Sequence, residues 1–485
     1  MKELEYPFDA AYIIKKRKSL KKALLADGTS RIRKKIAVFG GSTTSDIVKT
    51  LELFLLDAGI EPEFYESEYA QYFQDAMFPD ETLLSFKPDI VFIHTTNRNV
   101  TDWPEMTDTT ERIDEKLHTE INRFTAMWKS IAEKFHCPII QNNFEMPLYR
   151  LLGSRDAWDI HGRTNFLTRL NEAFYAYARE NESFYIHDLN FVSADYGLKE
   201  WSNPLFWNMY KYAMCFEAIP SFAFSVSHII KSIFGKNKKA LALDLDNTLW
   251  GGVVGDDGVD GIEIGQETGV SQSYYEFQTY VKQLKSLGIV LTVCSKNDHE
   301  NAIAGLNHPE GALRPDDFVI IKANWENKDR NIAETAAELN ILPDSIVFAD
   351  DNPAEREIVR TQIKGAAVPD MDGVENYITT IDRSGFFEVT TFSEDDLKRN
   401  EMYKKNALRA AEMASFGDYN DYLKSLEMHA VIDDFIPVYL ARITQLTNKS
   451  NQFNVTTRRY TPAEMESVFE DDGYIRLYGK LIDKF

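Results

Sequence analysis

Asp244-Leu-Asp-Asn-Thr-Leu-Trp250 follows the apolar run Lys239-Ala-Leu-Ala-Leu243, and these two stretches decide the fold. The apolar run predicts a buried strand that opens into a loop at Asp244. Because side chains alternate along a strand, Asp244 and Asp246 share one face. Two acids at the carboxyl end of a strand suit a hard cation such as Mg²⁺, which in turn attracts phosphate. The structural alternative is a strand followed by an acidic turn, and the rest of the chain has to decide between them.

Three further motifs follow in a fixed order: a second buried strand with a hydroxyl at its tip, a lysine that opens an amphipathic helix, and a third strand that ends in another acid pair. In that order the residues are 289–294 followed by Ser295, Lys328 before the helix 329–340, and 345–349 before Asp350 and Asp351. Four ordered motifs, each on its predicted element, favour a phosphate-handling site over an acidic turn.

In this order the motifs resemble those of the haloacid dehalogenase (HAD) superfamily of phosphoryl-transfer enzymes. The flanking residues resemble its FkbH-like branch more closely, and the resemblance runs from about Ala240 to Tyr460 and more weakly over the N-terminal third. The matching stretches are Leu243–Asp256, Val293–Asp298, Phe348–Arg356 and Arg442–Tyr460.

The resemblance implies a catalytic role for four of these residues. Asp244 would attack phosphorus and form an aspartyl-phosphate, while Asp246 would act as general acid and then as base for water. Ser295 would hydrogen-bond the transferring phosphoryl group. Lys328 would neutralise that group, with Lys322 as the rival candidate; we favour Lys328 because it begins the helix that leads to the Asp350 strand.

The resemblance also implies a Mg²⁺ site and a substrate pocket. Mg²⁺ would be bound by Asp244, by the backbone carbonyl of Asp246, and by a carboxylate of the Asp350 and Asp351 pair, of which we favour Asp351. Four further residues are expected to contact substrate: Asn247, Thr248, Cys294 and Asn297.

Two interpretations of Cys294 stay open at this point. FkbH-like proteins act as glyceryl transferases and phosphatases, and by resemblance Cys294 would carry the acyl group as a thioester before its transfer to an acyl carrier protein. Strand alternation argues otherwise: if Ser295 faces the site, Cys294 faces the core, where burial makes a thiol unreactive.

The first third of the chain alternates strands with helices, which predicts a parallel α/β domain. It resembles the SGNH-hydrolase fold through Gly40-Gly-Ser-Thr43 after the first strand and through Asn97. The histidine that this family carries three residues after an aspartate is missing, because Phe191 follows Asp188 at that spacing and Leu198 follows Asp195. Without a positioned base Ser42 is a poor nucleophile, so we expect no hydrolysis there.

These features predict two Rossmann-like parallel-sheet α/β domains followed by a shorter segment. The boundaries are 1–235 for the SGNH-like domain, 236–390 for a HAD domain with a minimal cap, and 391–485 for a helical linker with the start of an acyltransferase-like α+β domain. That last segment resembles an incomplete domain without a glycine-rich turn for coenzyme A pyrophosphate, so acetyl transfer is not expected.

Composition narrows the function classes. The 54 Lys and Arg against 76 Asp and Glu give a net charge of −22, which argues against non-specific nucleic-acid binding. The basic run from Lys15 to Lys22 is interpreted as a solvated helix face. Three cysteines give no disulfide framework, and no apolar segment reaches membrane-spanning length, so we expect a cytoplasmic protein without a membrane partner.

The sequence therefore predicts a Mg²⁺-dependent HAD-type phosphatase acting on a phosphorylated small molecule. The resemblance adds coupling to glyceryl-type acyl transfer onto a carrier protein. The alternative from a different class is a non-catalytic scaffold that binds a carrier protein or a biosynthetic partner. The four charged residues of the motifs disfavour the scaffold, which has no need of convergent charges.

Overall fold

The computed structural model describes residues 1–392, 394–449, 454, 456 and 458–484. Within the predicted family stretch 442–460, positions 450–453, 455 and 457 lie outside the described residues. The described chain divides into two compact units: the first contains residues 1–4, 8–236 and 434–478, and the second contains 5–7, 237–433 and the C-terminal residues from 479.

The first unit is built on a parallel sheet of five strands within residues 8–236, all of which are described. Its spatial strand order is β2-β1-β3-β4-β5. The strands are β1 (Ile32–Gly40), β2 (Ile60–Glu66), β3 (Ile90–His94), β4 (Ile139–Asn142) and β5 (Phe184–His187). The helices are α1 (Ala10–Ala26), α2 (Ser45–Asp57), α3 (Tyr72–Met77), α4 (Glu81–Phe86), α5 (Thr110–Phe135), α6 (Arg163–Glu180), α7 (Leu189–Tyr196), α8 (Leu198–Trp201), α9 (Pro204–Tyr210) and α10 (Ile219–Ile233).

Alternating side chains of β1 and β3 supply the two cores of this unit. Ile36, Val38 and Phe92 belong to one hydrophobic cluster, and Phe39 and Ile93 belong to the other. A strand that is buried on both faces reads as a continuous apolar run, which is why these strands were visible in the sequence.

The second unit contains a parallel four-stranded sheet within the fully described residues 237–392, with the order β8-β7-β6-β9. The strands are β6 (Ala240–Leu243), β7 (Val290–Ser295), β8 (Ile320–Ala323) and β9 (Ile346–Ala349). The helices are α11 (Val254–Asp257), α12 (Gly269–Ser286), α13 (His299–Leu306), α14 (Lys328–Glu338), α15 (Pro353–Gln362) and α16 (Tyr377–Arg383). Both sheets confirm the predicted α/β class.

The remaining elements are α17 (Glu394–Ser415), α18 (Tyr419–Ser425), β10 (His429–Asp434), α19 (Leu440–Lys449), α20 (Pro462–Glu470) and β11 (Leu477–Ile482), with β10 and β11 in a two-stranded sheet. The segment 391–485, predicted as a third region, is divided between the two units. Among the described residues, no helix combines the length and the hydropathy that crossing a membrane requires.

Candidate active site

The strand order of the second unit brings the separated motifs to one edge. β6 lies between β7 and β9, and Leu243 is paired with Val293 on one side and with Ala349 on the other. Since all three strands are parallel, the residues that follow them meet at the carboxyl edge of the sheet. Residues about 50 and 100 positions apart in the chain, Asp244, Ser295 and Asp350, are thereby brought to the same edge.

Three carboxylates form the centre of the site. Asp244, Asp350 and Asp351 each offer an oxygen, and these oxygens all lie within 4.8 Å of one another. Asp244 is 7% exposed and Asp350 is fully buried, whereas Asp351 is partly exposed. An all-oxygen set of this kind fits a small hard divalent cation such as Mg²⁺.

Burial and mutual repulsion shape the proton affinity of this cluster. Burial, reinforced by the charge of Asp244, raises the pKa of Asp350 and the pKa of Asp351 above the usual range of a carboxyl group. Close carboxylates oppose each other's ionisation, so the cluster gains from any cation that binds next to it.

Lys328 supplies one such cation from within the protein. Its Nζ atom lies 2.6 Å from Oδ2 of Asp350 and 3.0 Å from Oδ2 of Asp244, and its side chain is 3% exposed. Burial opposes its charge, but the two carboxylates outweigh burial and raise the pKa of Lys328 above its ordinary value. The lysine at the start of α14 is therefore held as an ammonium ion.

Lys322, the rival candidate, forms ion pairs with residues outside the carboxylate cluster. Its Nζ atom pairs with Glu334 at 3.1 Å and with Glu338 at 2.7 Å, both on α14 and both half-exposed. The geometry therefore favours Lys328, as predicted from its position at the helix start.

Asp246 is held apart from the carboxylate cluster. Its Oδ1 atom accepts hydrogen bonds from Trp250 Nε1 at 2.9 Å and from the Val254 amide at 3.0 Å. Its Oδ2 atom accepts one from Asn297 Nδ2 at 2.9 Å. Burial, with a contribution from the charge of Asp244, raises the pKa of Asp246. A fixed carboxyl group with a raised pKa suits a general acid, and the Asp246 side chain is not one of the three grouped carboxylates that could hold a metal ion.

The loop after β6 is held by its own polar groups. Asn247 adopts the left-handed conformation (φ 56°), its side chain accepts from the Gly252 amide, and its carbonyl accepts from the hydroxyls of Tyr274 and Tyr377. Thr248 is fully buried and exchanges hydrogen bonds with Asp351. These residues position the loop and Asp351, and the substrate contacts predicted for Asn247 and Thr248 stay predictions.

Ser295 and Cys294 lie on opposite faces of β7, as strand alternation predicts. Ser295 is 1% exposed, and its hydroxyl makes no hydrogen bond with any residue that the structure describes, which leaves it available to a ligand. Cys294 belongs to the hydrophobic cluster with Ile332 and Phe348, and its thiol donates to the Lys328 carbonyl at 3.6 Å. Burial raises the pKa of Cys294, so the structure places this residue in the core and does not support the predicted substrate contact.

Arg356 is a positioning residue that sequence reasoning did not identify. Its guanidinium donates to the carbonyls of Asp350 and Asp351 at 3.0 and 2.7 Å, and it is 4% exposed. It fixes the backbone that carries two of the three carboxylates. The available signal was an arginine in the first turns of α15, directly after the second acid pair.

The residues of the SGNH resemblance do not assemble a hydrolytic triad. The Ser42 hydroxyl is buried without a hydrogen-bond partner among the described residues. Asn97 uses its side-chain amide to bind the carbonyls of Glu145 and Met146. His94 and His187 are buried, and burial lowers the pKa of each to about 3, so neither is poised as a base near neutral pH.

Comparison with known proteins adds two relationships. The family model described as FkbH, N-terminal domain, matches residues 35–231. A crystal structure of the N-terminal part of the protein BF1531 from Bacteroides fragilis, containing a phosphatase domain and complexed with Mg, is similar to this chain with 30% sequence identity and a TM-score of 0.71. The similarity covers 78% of this chain and 99% of that one. Among curated proteins, no significant match to this chain was found.

The two relationships cover different shares of the chain. The family match lies in the first unit, while the structural similarity extends over most of the chain and therefore includes residues beyond the family match. The chain belongs to the FkbH-like family of HAD-type proteins.

Proposed function

We propose that this protein is a Mg²⁺-dependent phosphatase that hydrolyses phosphorylated small molecules through an aspartyl-phosphate on Asp244. The observation that carries the proposal is the cluster of Asp244, Asp350 and Asp351 against the buried ammonium of Lys328. The Mg complex of the similar phosphatase-containing structure supports the same choice of cation.

Asp244, Asp350 and Asp351 would hold the cation. When bound, Mg²⁺ would neutralise part of the phosphate charge and so reduce its repulsion from the attacking carboxylate. Lys328 contributes a further fixed positive charge at Asp244, which offsets the remaining repulsion.

In the first step an oxygen of Asp244 forms a bond to phosphorus while the bond from phosphorus to the ester oxygen breaks. Asp246 gives its proton to that leaving oxygen. In the second step Asp246, now ionised, takes a proton from water, and the water oxygen attacks phosphorus and releases Asp244. General acid–base catalysis of this kind typically contributes about 10²–10⁴-fold.

Hydrogen bonds from neighbouring groups orient Asp246 for this proton transfer, and Ser295 would contact the phosphoryl group. Trp250, the Val254 amide and Asn297 fix the orientation of the Asp246 carboxyl group. The Ser295 hydroxyl, which is buried and has no hydrogen bond to the described residues, would donate to a phosphoryl oxygen. Asn297 is thus a positioning residue for the acid in this scheme.

Acyl transfer through Cys294 is the finer expectation of the family resemblance, and the packing of the thiol argues against including it. Cys294 is 1% exposed, and burial raises its pKa, which disfavours the nucleophilic thiolate. An acyl thioester on Cys294 would be supported by a hydroxylamine-labile mass on the parent protein after incubation with an activated glycerate phosphate, and by loss of that mass in Cys294→Ala.

A non-catalytic scaffold is the weaker alternative. Burying Asp244 and Asp350 together with Lys328 costs stability, and such costly arrangements of ionisable groups are concentrated at functional sites. The three free cysteines also fit a reducing compartment, and we propose a cytoplasmic location on that ground.

Phosphate release from a panel of phosphorylated metabolites, measured with Mg²⁺ and with a chelator, tests the proposal. We expect turnover of at least one phosphomonoester in Mg²⁺, its loss in the chelator, and a decrease of about 10²-fold or more in Asp246→Asn. Release that persists unchanged in the chelator would contradict the proposal.

A further inference from the structure

The sheet of the first unit has a reversal in strand order that the proposed phosphatase site does not use, and we call the space between the loops at this reversal the crevice. From β1 the chain continues to β2 on one side, and β3 lies on the other side of β1. The loops after β1 and β3 therefore leave in opposite directions, and in open parallel sheets this reversal point is where ligands bind. The two loops are residues 41–44 and 95–99.

Arg98, in the loop after β3, is a cation for which the described residues supply no ion pair. Its guanidinium lies 4.4 Å from the centre of the Trp207 ring on α9. The Arg98 amide donates to the Thr96 hydroxyl at 3.3 Å, but the guanidinium forms no hydrogen bond and no ion pair with any residue in the described part of the chain. The side chain is half-buried, and burial lowers the pKa of Arg98. A half-buried guanidinium of this kind loses hydration without gaining a hydrogen bond or an ion pair.

A second cation lies at the same ring. Lys211, the C-cap residue of α9, has its Nζ atom 5.5 Å from the centre of the Trp207 ring. Its hydrogen bond is a long one, 3.4 Å to the Asn208 carbonyl. Two cations gathered at one indole repel each other, and an anion between or beside them would relieve that repulsion.

The loop after β1 is hydrogen-bonded both to the loop that carries Arg98 and to the segment that carries Lys211. The Gly41 carbonyl accepts from Asn99, the neighbour of Arg98, at 2.9 Å. On the other side the Thr43 amide donates to the Lys211 carbonyl at 3.0 Å. Between these anchors lies Ser42, which is 2% exposed and whose hydroxyl has no hydrogen-bond partner among the described residues. Buried hydroxyl groups normally have a hydrogen-bond partner, so the Ser42 hydroxyl, between the hydrogen-bonded residues Gly41 and Thr43, indicates a site for a polar ligand.

The nearby carboxyl group of Glu145 does not serve as an ion-pair partner for Arg98. Glu145 is the carboxyl group whose charge acts on Arg98, but no ion pair joins the two, and Glu145 accepts from the Asn97 amide at 3.1 Å. The crevice thus combines two cations, a free hydroxyl and no bonded counter-ion within the described residues.

We propose that this crevice binds the oxyanion group, phosphate or carboxylate, of a small-molecule ligand, with Arg98 and Lys211 supplying charge and Ser42 a hydrogen bond. The planar guanidinium donates in a fork that matches both groups. The site is separate from Asp244 and does not depend on the proposed phosphatase activity.

Calorimetric titration of the full chain with inorganic phosphate and, separately, with acetate tests the proposal in Mg²⁺-free buffer. Every variant keeps the Asp244 site, so any phosphate bound there is common to all samples. We expect saturable binding of at least one ion to the parent, weakened about tenfold or more in Arg98→Gln and by a smaller factor in Lys211→Gln and Ser42→Ala.

Arg163→Gln is the matched control, because Arg163 is also half-buried and also stacks on an indole, Trp103, in the same unit. It should leave binding unchanged. Thermal unfolding in ion-free buffer checks that each variant folds, and Arg98→Lys, which keeps the charge but not the fork, replaces Arg98→Gln if that variant does not fold. Tighter phosphate than acetate would identify a phosphorylated ligand, and the reverse a carboxylate. Absence of saturable binding of both ions, or equal affinity in Arg98→Gln and the parent, would overturn the proposal.

Discussion

Lys328 and Lys322 are six residues apart and carry the same charge, yet their surroundings predict different consequences of removal. Lys328 is buried between Asp244 and Asp350, while Lys322 pairs with half-exposed glutamates. In metal-free protein at about pH 8, Lys328→Met should lower the free energy of unfolding by about 3 kcal/mol, because it leaves buried carboxylates without a cation. Lys322→Met should cost less than about 1 kcal/mol.

Urea unfolding of both variants measures the difference. The loss in Lys328→Met should shrink at about pH 5.5, because the raised pKa of Asp350 lets a proton replace the missing cation. Equal losses in the two variants would show that the burial of Lys328 has no energetic consequence.

Glu145 gives the first unit a predicted pH dependence. Burial raises the pKa of Glu145 to about 7 from an ordinary 4.5. Between these two values the folded state keeps a proton that the unfolded state has released, so stability falls as the pH rises through this window. Above about pH 7 the full cost is present, and below about pH 4.5 it is absent.

Glu145→Gln keeps the acceptor for the Asn97 amide and removes the charge. We expect it to be more stable than the parent by up to about 3 kcal/mol at about pH 8, and equal to it at about pH 4.5. The exposed Glu133→Gln on α5 is the control and should change neither value. A constant difference between Glu145→Gln and the parent over this range would refute the predicted proton uptake.

At the scale of single residues, the sequence predicted the types and the order of the groups in the second unit better than their partners. Lys328 was preferred to Lys322 from its place at a helix start, and the contacts agree. The contact of Arg356 with the Asp350 carbonyl could not be predicted, because a bond from a side chain to a backbone carbonyl leaves no pattern in residue types. The left-handed backbone conformation of Asn247 could not be predicted either, because the residue types around it do not specify its φ angle.

At the scale of elements, the buried parallel strands were the most predictable part of the fold. β6, β7 and β9 are nearly continuous apolar runs, because helices cover both faces of the sheet. Alternation along β7 correctly predicted opposite faces for Cys294 and Ser295. The lateral order of the strands could be expected only from the family resemblance, since strand pairing depends on contacts distant in sequence.

The packing of α13 against the loop after β6 gives an element-scale prediction. A Cβ atom at Gly305 would lie 2.8 Å from the Trp250 ring, and Trp250 holds Asp246 through its Nε1 atom. Gly305→Ala should therefore displace Asp246, the proposed general acid, and lower kcat about tenfold or more, with a smaller effect on KM.

Steady-state kinetics on a phosphomonoester substrate measures the effect. Gly269→Ala is the control, because a Cβ atom there meets nothing within 4 Å at the first residue of α12. Equal turnover in the two variants would show that Asp246 does not depend on the position of Trp250.

At the scale of the whole molecule, two α/β units carry different surface and site chemistry within a chain of net charge −22. The second unit concentrates buried carboxylates around one lysine, and the first holds at its sheet edge an arginine that stacks on Trp207 and forms no ion pair with the described residues. The sequence predicted two parallel-sheet domains because alternating strands and helices repeat twice. The assignment of residues 434–478 to the first unit could not be predicted, since it depends on contacts between distant parts of the chain.

The central claim is that Asp244 is the nucleophile of a Mg²⁺-dependent phosphatase, and phosphate release by Asp244→Asn tests it most directly. The substitution is nearly isosteric, so the fold should remain, but it removes the attacking anion. Asp256→Asn, an exposed carboxylate on α11, is the matched control and should retain parental turnover. The account predicts a loss of about a thousandfold or more in Mg²⁺ for Asp244→Asn. Turnover within about tenfold of the parent, in a folded variant, would contradict it.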